Sequence, residues 1–441
     1  MITFNIIIKE NAGDVYSPNR EPSEKYIDFT LENNSALVSS YVSIILKQKN
    51  ITLNAAMADL MDLAIAVYTS DQIISREESG FEGWSRHIRV HFPVSNKSLW
   101  DIAKTDVEQM LSFLSGDKWE LLFRQCATVK TRQPQLSTNP DGITKVSLLS
   151  GGLDSFIGAI DLLENNEKVA FVSHYKRGSE SKVQTMMLDA LTKKYGGNRL
   201  KNYKFYVQPN QSHVLARKED SSRARSFLFL ALGLSIANSF GDQVDLIIPE
   251  NGLISLNVPL TQTRLSSHST RTTHPYYFSL FRKIILALGI NNRLINPYQF
   301  STKGEMIISC RNNPYLLQYY AETISCSHAD NSHYVKGTKP GIQCGYCVPC
   351  IIRQAAEKAA GVSKTQYMHQ IKYNPPNHAT KKGRDLRAFK MSFEEIRNLP
   401  VHSIMLRILK SGPLPFADQN DLNDYIGIYN RGMKEVANFL Q

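Results

Sequence analysis

The sequence predicts an α/β protein: a parallel, doubly wound sheet covered by helices on both faces, preceded by an α+β segment and followed by a helical extension. Three observations carry this expectation. Apolar, β-branched runs at residues 145–149, 168–174, 204–207 and 244–248 alternate with helical patterns, the rhythm of βαβ units. A glycine turn, Ser150-Gly151-Gly152-Leu153-Asp154-Ser155, joins the first run to an apolar repeat at Phe156, Ile160 and Leu163. Four cysteines, Cys326, Cys344, Cys347 and Cys350, close the same region with metal-ligand spacing.

Taken in order, residues 1–130 read as an accessory α+β domain. Strand patterns occur at residues 2–8 and 88–92, and Val107, Met110, Leu111 and Leu114 mark the buried face of a helix. All three tryptophans (Trp84, Trp100, Trp119) lie here and read as core or interface anchors. No chemistry is recognisable in this segment, which suits docking of a substrate or partner. Residues 131–142 are rich in Pro, Asn, Ser and Gly and read as a linker. Residues 143–361 hold the alternating strands and helices, including a helix at 227–239 that is apolar nearly all round. A break at Asn374-Pro375-Pro376-Asn377 falls within the extension 362–441, which ends in an amphipathic helix over 421–440.

The glycine turn carries the chemistry. Leu148 and Leu149 end the strand, and Gly151 and Gly152 let backbone N–H groups converge with no Cβ in the way. A helix starting at Leu153 adds unpaired N–H groups and its positive dipole end. Ser150 and Ser155 offer hydroxyl donors, and Asp154 can hold magnesium on the phosphates. The expected ligand is a pyrophosphate. No Gly-Lys-Ser/Thr follows, so the Walker pattern and simple γ-phosphate hydrolysis are disfavoured. His174 and the Pro249-Glu250-Asn251-Gly252 turn also fall at the carboxyl edge of the strands, where ligands of such sheets sit. Lys176 or Arg225 would steady developing charge, and Glu250 or His174 would recognise an amine or move a proton. Each also has an ordinary reading: a strand cap for His174, a solvent contact for Lys176, a turn bond for Glu250.

In Cys326-x17-Cys344-x2-Cys347-x2-Cys350 two thiolates of each knuckle reach one ion, Gly345 relieves the turn, and Cys326 completes a tetrahedral shell. A ferredoxin run would continue with three residues and Cys-Pro; here no cysteine follows, which favours structural zinc over an iron–sulfur centre. Cys126 and Cys310 read as plain thiols. The formal charge of +11 points to an acidic partner, but the basic residues are scattered, so the charge alone selects none. No apolar run reaches membrane-spanning length and the N-terminus lacks a secretory pattern, so a cytoplasmic location is expected.

The hexapeptide Ser150–Ser155 resembles the PP-loop of ATP pyrophosphatases, with their adenine nucleotide alpha hydrolase-like sheet. Together with Cys326 and the run Cys344-Gly345-Tyr346-Cys347-Val348-Pro349-Cys350-Ile351-Ile352-Arg353, it makes residues 143–360 resemble the QueC family, the 7-cyano-7-deazaguanine synthases. Arg225-Ser226 before an apolar helix matches the Arg-Asn pair of that family in part. The resemblance implies ATP and Mg²⁺ at the turn, structural Zn²⁺ at the cysteines, and cleavage of ATP between its α and β phosphates. It implies a 7-carboxy-7-deazaguanine-type carboxylate as substrate, activated for attack by ammonia or an amine. The chain departs from the family in length, and Glu250-Asn251-Gly252, Asn257 and Arg271-Thr272-Thr273-His274-Pro275 stand where the family carries an Asn-Asp purine-recognition stretch. The enlarged architecture resembles QueC-like proteins of bacterial antiphage islands, including the Qat system. That implies partner proteins from the same system and a protein amine as acceptor. Two other readings stay open: a tRNA-modifying ligase or thiolase holding RNA by its positive charge, and an idle nucleotide-binding scaffold.

Overall fold

The computed structural model describes residues 2–441 apart from 33–34, 128–138, 177, 211–218, 220, 262–270, 329–340, 398 and 417. Most of the expected linker therefore lies outside the described residues. Among the described residues ten strands form two sheets. They are β1 (Thr3–Lys9), β2 (Lys25–Thr30), β3 (Val38–Ser40), β4 (His87–Val94), β5 (Lys118–Gln125), β6 (Lys145–Leu148), β7 (Val169–Tyr175), β8 (Leu200–Pro209), β9 (Asp245–Ile247) and β10 (Leu294–Ile295).

The first sheet has the order β2-β1-β4-β5, and all its pairings are parallel. The N-terminal segment is thus α/β in character, which corrects the α+β expectation. Spacing patterns mark strands but not their direction, and direction is set by the helical crossovers between them. Phe4, Ile6, Ile8, Ile88, Val90 and Phe92 alternate inward onto helices Ala55–Ile73 and Lys97–Ser115. Val107, Met110, Leu111 and Leu114 are buried as their spacing requires, and Trp100 and Trp119 sit in the same core.

The second sheet has the order β10-β9-β6-β7-β8-β3, parallel except for β3, which runs antiparallel to β8. Since β3 comes from the N-terminal segment, that segment is not self-contained: it completes the second sheet and shares one apolar core with it. A buried ionic cluster ties the two parts. Arg76 and Arg86 both pair with Asp71 and Asp117, and Asp71 accepts the Ala224 N–H at 3.0 Å, at the start of helix Arg225–Phe240. Burial opposes ionisation of Asp71, but the two guanidinium groups hold its carboxyl down to about 2.

The chain runs from the central β6 outward through β7 and β8, then returns to the other side with β9 and β10. The order reverses between β6 and β9, and in sheets of this kind ligands sit at the carboxyl edge of such a switch point. The C-terminal helices Arg384–Ile396, Val401–Leu409 and Gln419–Leu440 form a third core with Leu253, Leu256, Ile351 and Ile352, so the extension is packed into the body of the protein. No helix among the described residues is long and apolar enough to cross a membrane.

Candidate functional site

The glycine turn lies at the switch point. Strand β6 ends at Leu148, and helix Leu153–Glu164 starts directly after Gly152. Gly151 adopts φ +96°, a conformation L-residues rarely take, so the glycine there is a geometric requirement. Ser150 Oγ accepts the Gly152 N–H at 3.3 Å and donates to Ser155 Oγ at 3.2 Å, and Ser155 Oγ donates to Gly152 O at 2.9 Å. The turn is preorganised, with Ser150 exposed and the amino end of a three-turn helix behind it. Such an end attracts an anion.

Asp154 lies in the first turn of that helix and is buried. Its Oδ2 accepts Asn251 N at 3.1 Å and Asn251 Nδ2 at 2.7 Å, and its Oδ1 pairs with the Lys303 ammonium. Asn251 Nδ2 also reaches Glu250 Oε1 at 3.4 Å. Burial opposes ionisation of Asp154, but Lys303 and the hydrogen bonds from Glu250 and Asn251 hold its carboxyl below the ordinary range. Burial and the charge of Asp154 push Glu250 well above it. The shifts oppose each other, so within the pair the charge is favoured on Asp154 and the proton on Glu250.

Lys303 was not singled out in the sequence. The only local signal is Thr302-x-x-Glu305, a capping box that starts helix Lys303–Ser309. The C-terminal helix sets the position of this lysine. Glu435 accepts Thr302 Oγ1 at 2.7 Å and Gly304 N at 3.3 Å, bracketing it.

His174, Lys176 and Arg225 form the other wall. His174 is fully buried; its Nε2 donates to Val207 O at 3.1 Å, and its Nδ1 accepts Arg225 Nε at 3.2 Å. Burial, then the neighbouring Arg225, push it well below its usual value, so the ring is neutral. With both nitrogens engaged, His174 positions Arg225, and the expectation that it transfers protons gives way to a structural role near the end of β7. Arg225 forms a forked pair with Glu180 (2.9 and 2.6 Å) on the half-exposed rim, and the charge of Lys176 acts on that same glutamate. Tyr68, from the N-terminal segment, meets His174 edge-on at 5.7 Å. Glu180 and Tyr68, like Lys303, come from distant parts of the chain and carry no motif.

The four cysteines converge. Their sulfurs lie within 4.8 Å of one another, with Cys344–Cys350 at 3.9 Å and Cys347–Cys326 at 4.0 Å. Tetrahedral Zn–S bonds of about 2.3 Å place sulfurs about 3.8 Å apart, so the donor set fits zinc. The sulfurs accept backbone N–H groups from His328, Cys344 and Cys347, which support thiolates. Gly345 has φ +82°, and a Cβ there would meet His369 O at 1.8 Å, so the knuckle requires glycine. Cys126 and Cys310 are buried and form no disulfide.

No family model matches this chain, and no curated protein matches it. Among solved structures, a ketoreductase domain from the bacillaene assembly line is similar at 8% identity, covering 73% of this chain and 86% of that one, with a TM-score of 0.22. That score is too low to carry an argument about fold or activity.

Proposed function

We propose that the chain uses ATP to activate a carboxylate of the 7-carboxy-7-deazaguanine type, releasing pyrophosphate and leaving an acyl adenylate for attack by ammonia or an amine. The observation that carries this reading is the preorganised Ser150–Ser155 turn at the switch point, with the buried Asp154–Lys303–Glu250 cluster directly beside it. The resemblance of residues 143–360 to the QueC family supplies the substrate class.

In this reading the turn and the helix amino end hold the β and γ phosphates by N–H and hydroxyl donors. A substrate carboxylate oxygen attacks the α-phosphorus, the bond to the bridging oxygen breaks, and pyrophosphate leaves with the electron pair. Ammonia or an amine then attacks the acyl carbon, expels AMP and loses a proton. Lys303 and Arg225 supply the cationic groups that balance charge as the bridging bond breaks. Asp154 carries the hard oxygen donors that would suit magnesium, the ion that neutralises phosphate charge when bound. Glu250 serves as a protonated donor rather than a base, as its elevated pKa dictates. The four thiolates hold zinc as a closed, structural site.

The test is pyrophosphate release from ATP with 7-carboxy-7-deazaguanine, with and without ammonia, followed by mass spectrometry of the products. AMP and pyrophosphate should form with the wild-type chain and not with Asp154→Ala. An Asp154→Ala protein with full turnover refutes the proposal.

A further inference from the structure

The cysteine cluster and the glycine turn are joined by three residues, Thr323-Ile324-Ser325, which lead directly into the ligand Cys326. The Ile324 N–H donates to Gly151 O at 2.9 Å. This bond reaches the turn at the peptide that matters most. Gly151 C=O and Gly152 N–H belong to one rigid plane and point in opposite directions. Whatever holds the carbonyl therefore helps fix the aim of the Gly152 amide, together with the longer bond from that amide to Ser150 Oγ at 3.3 Å, and glycine on both sides of the plane gives it little steric resistance to rotation.

The three-residue segment is itself clamped from the cluster. Gln343, which precedes the ligand Cys344, accepts the Ser325 N–H on Oε1 at 3.1 Å and donates Nε2 to Thr323 O at 3.3 Å. Arg353, three residues beyond the ligand Cys350 on helix Val348–Ala359, donates to Thr323 O at 2.7 Å, Tyr320 O at 2.6 Å and Ser325 Oγ at 3.4 Å. Glu357 and Thr365 complete the partners of this fully buried guanidinium. Gln343 is 2% exposed. Two buried side chains, each within three residues of a cluster ligand, thus grip the same short backbone that holds the turn.

We infer that metal at the four thiolates sets the geometry of the anion-binding turn, with Gln343 and Arg353 as positioning residues that transmit it. A bound metal gathers Cys326 against the other three sulfurs and keeps residues 323–325 in place. Without it Cys326 is held less tightly against the other sulfurs, the clamp slackens, and the Gly151–Gly152 peptide depends more on the bond from its amide to Ser150 Oγ. The consequence for nucleotide rests on the reading that this turn binds phosphate; the mechanical coupling does not.

The experiment compares metal-replete protein, chelator-stripped protein and the Gln343→Ala variant. Hydrogen exchange is read for peptides covering 320–326 and 149–153, with 118–125 on the first sheet as the control for intact fold. Bound metal is quantified, and the affinity for a fluorescent ATP analogue with Mg²⁺ is measured. Stripping should speed exchange in both site peptides and leave the control unchanged. Gln343→Ala should do the same while retaining its metal. It should also weaken nucleotide binding on the order of tenfold, the size of one or two lost hydrogen bonds to a charge-binding turn. Unchanged exchange at 320–326 and 149–153 in Gln343→Ala overturns the inference, whatever the stripped protein does. Faster exchange in a protein that binds no nucleotide in any form upholds the coupling and removes the phosphate reading instead.

Discussion

Replacing Lys303 with methionine removes the ammonium that faces Asp154 while keeping most of the apolar stem. Both side chains are nearly excluded from solvent, at 5% and 7% exposure, so little screening weakens the pair. Breaking a buried ion pair at one partner costs about 3–5 kcal/mol, because the other charge is left uncompensated. Here Asp154 keeps both bonds from Asn251, which places the expected loss near the lower end, about 3 kcal/mol at pH 7. The loss depends on pH with a definite sign. Without Lys303 the folded-state pKa of Asp154 rises above its unfolded value, so the penalty is greatest at high pH and fades as the carboxyl takes a proton. The share of the deficit that comes from the raised carboxyl shrinks by up to about 1.4 kcal/mol per pH unit, so the deficit should be smaller at pH 5 than at pH 7, while the share from the lost ion pair persists until the pH nears the unfolded carboxyl range. Urea unfolding of wild type and Lys303→Met at pH 7 and pH 5, followed by far-UV circular dichroism, measures this. The double variant Lys303→Met/Asp154→Asn should recover most of the stability at pH 7 and none of the pyrophosphate release. Equal midpoints for wild type and Lys303→Met at pH 7, or a deficit that does not shrink at pH 5, would refute the buried-pair reasoning.

Two further outcomes are expected. Gly151→Ala forces a Cβ onto φ +96° and should cost about 1–3 kcal/mol of stability, and it should lower nucleotide affinity without changing metal content, both readable by unfolding and binding titrations. On the acid side, burial and then the neighbouring Arg271 push His274 down to about 3, from an ordinary value of 6.5. Its neutral ring caps helix Pro275–Ala287 through Tyr276 N, so the stability it supplies is full above pH 6.5 and is lost as pH falls from 6.5 through about 3. His274→Asn, which retains a capping oxygen, should flatten the decline of the thermal midpoint between pH 6.5 and 4. A parallel decline in both proteins would rule out His274 as the titrating group.

The parts of the site legible in the sequence are those whose chemistry is local. Ser150–Ser155 reads as an anion turn because two glycines between an apolar strand and an apolar helix allow a tight turn, with φ > 0 at Gly151, and a helix start within six residues. The cysteine cluster reads as a metal site because two-residue spacing folds a knuckle on itself, and the convergence of sulfurs follows. Strands β6, β7, β8 and β9 and the helices between them follow from periodicity in the same way, whereas β3 and β10, three and two residues long, are too short to show a pattern.

What tertiary structure alone decided is everything that joins residues far apart in the chain. Lys303 meets Asp154 only because the chain returns beside β6 after β9, and nothing around residue 303 except its capping box marks the lysine. His174 looked like a free acid–base group because a sequence does not show that Val207 O and Arg225 take both its nitrogens. The direction of the first sheet and the crossing of β3 into the second depend on crossover geometry, which leaves no mark in a hydrophobic pattern. Sequence patterning determines what a segment can become by itself, whereas burial, charge compensation and strand order are properties of the assembled core, and those set the roles of the site residues.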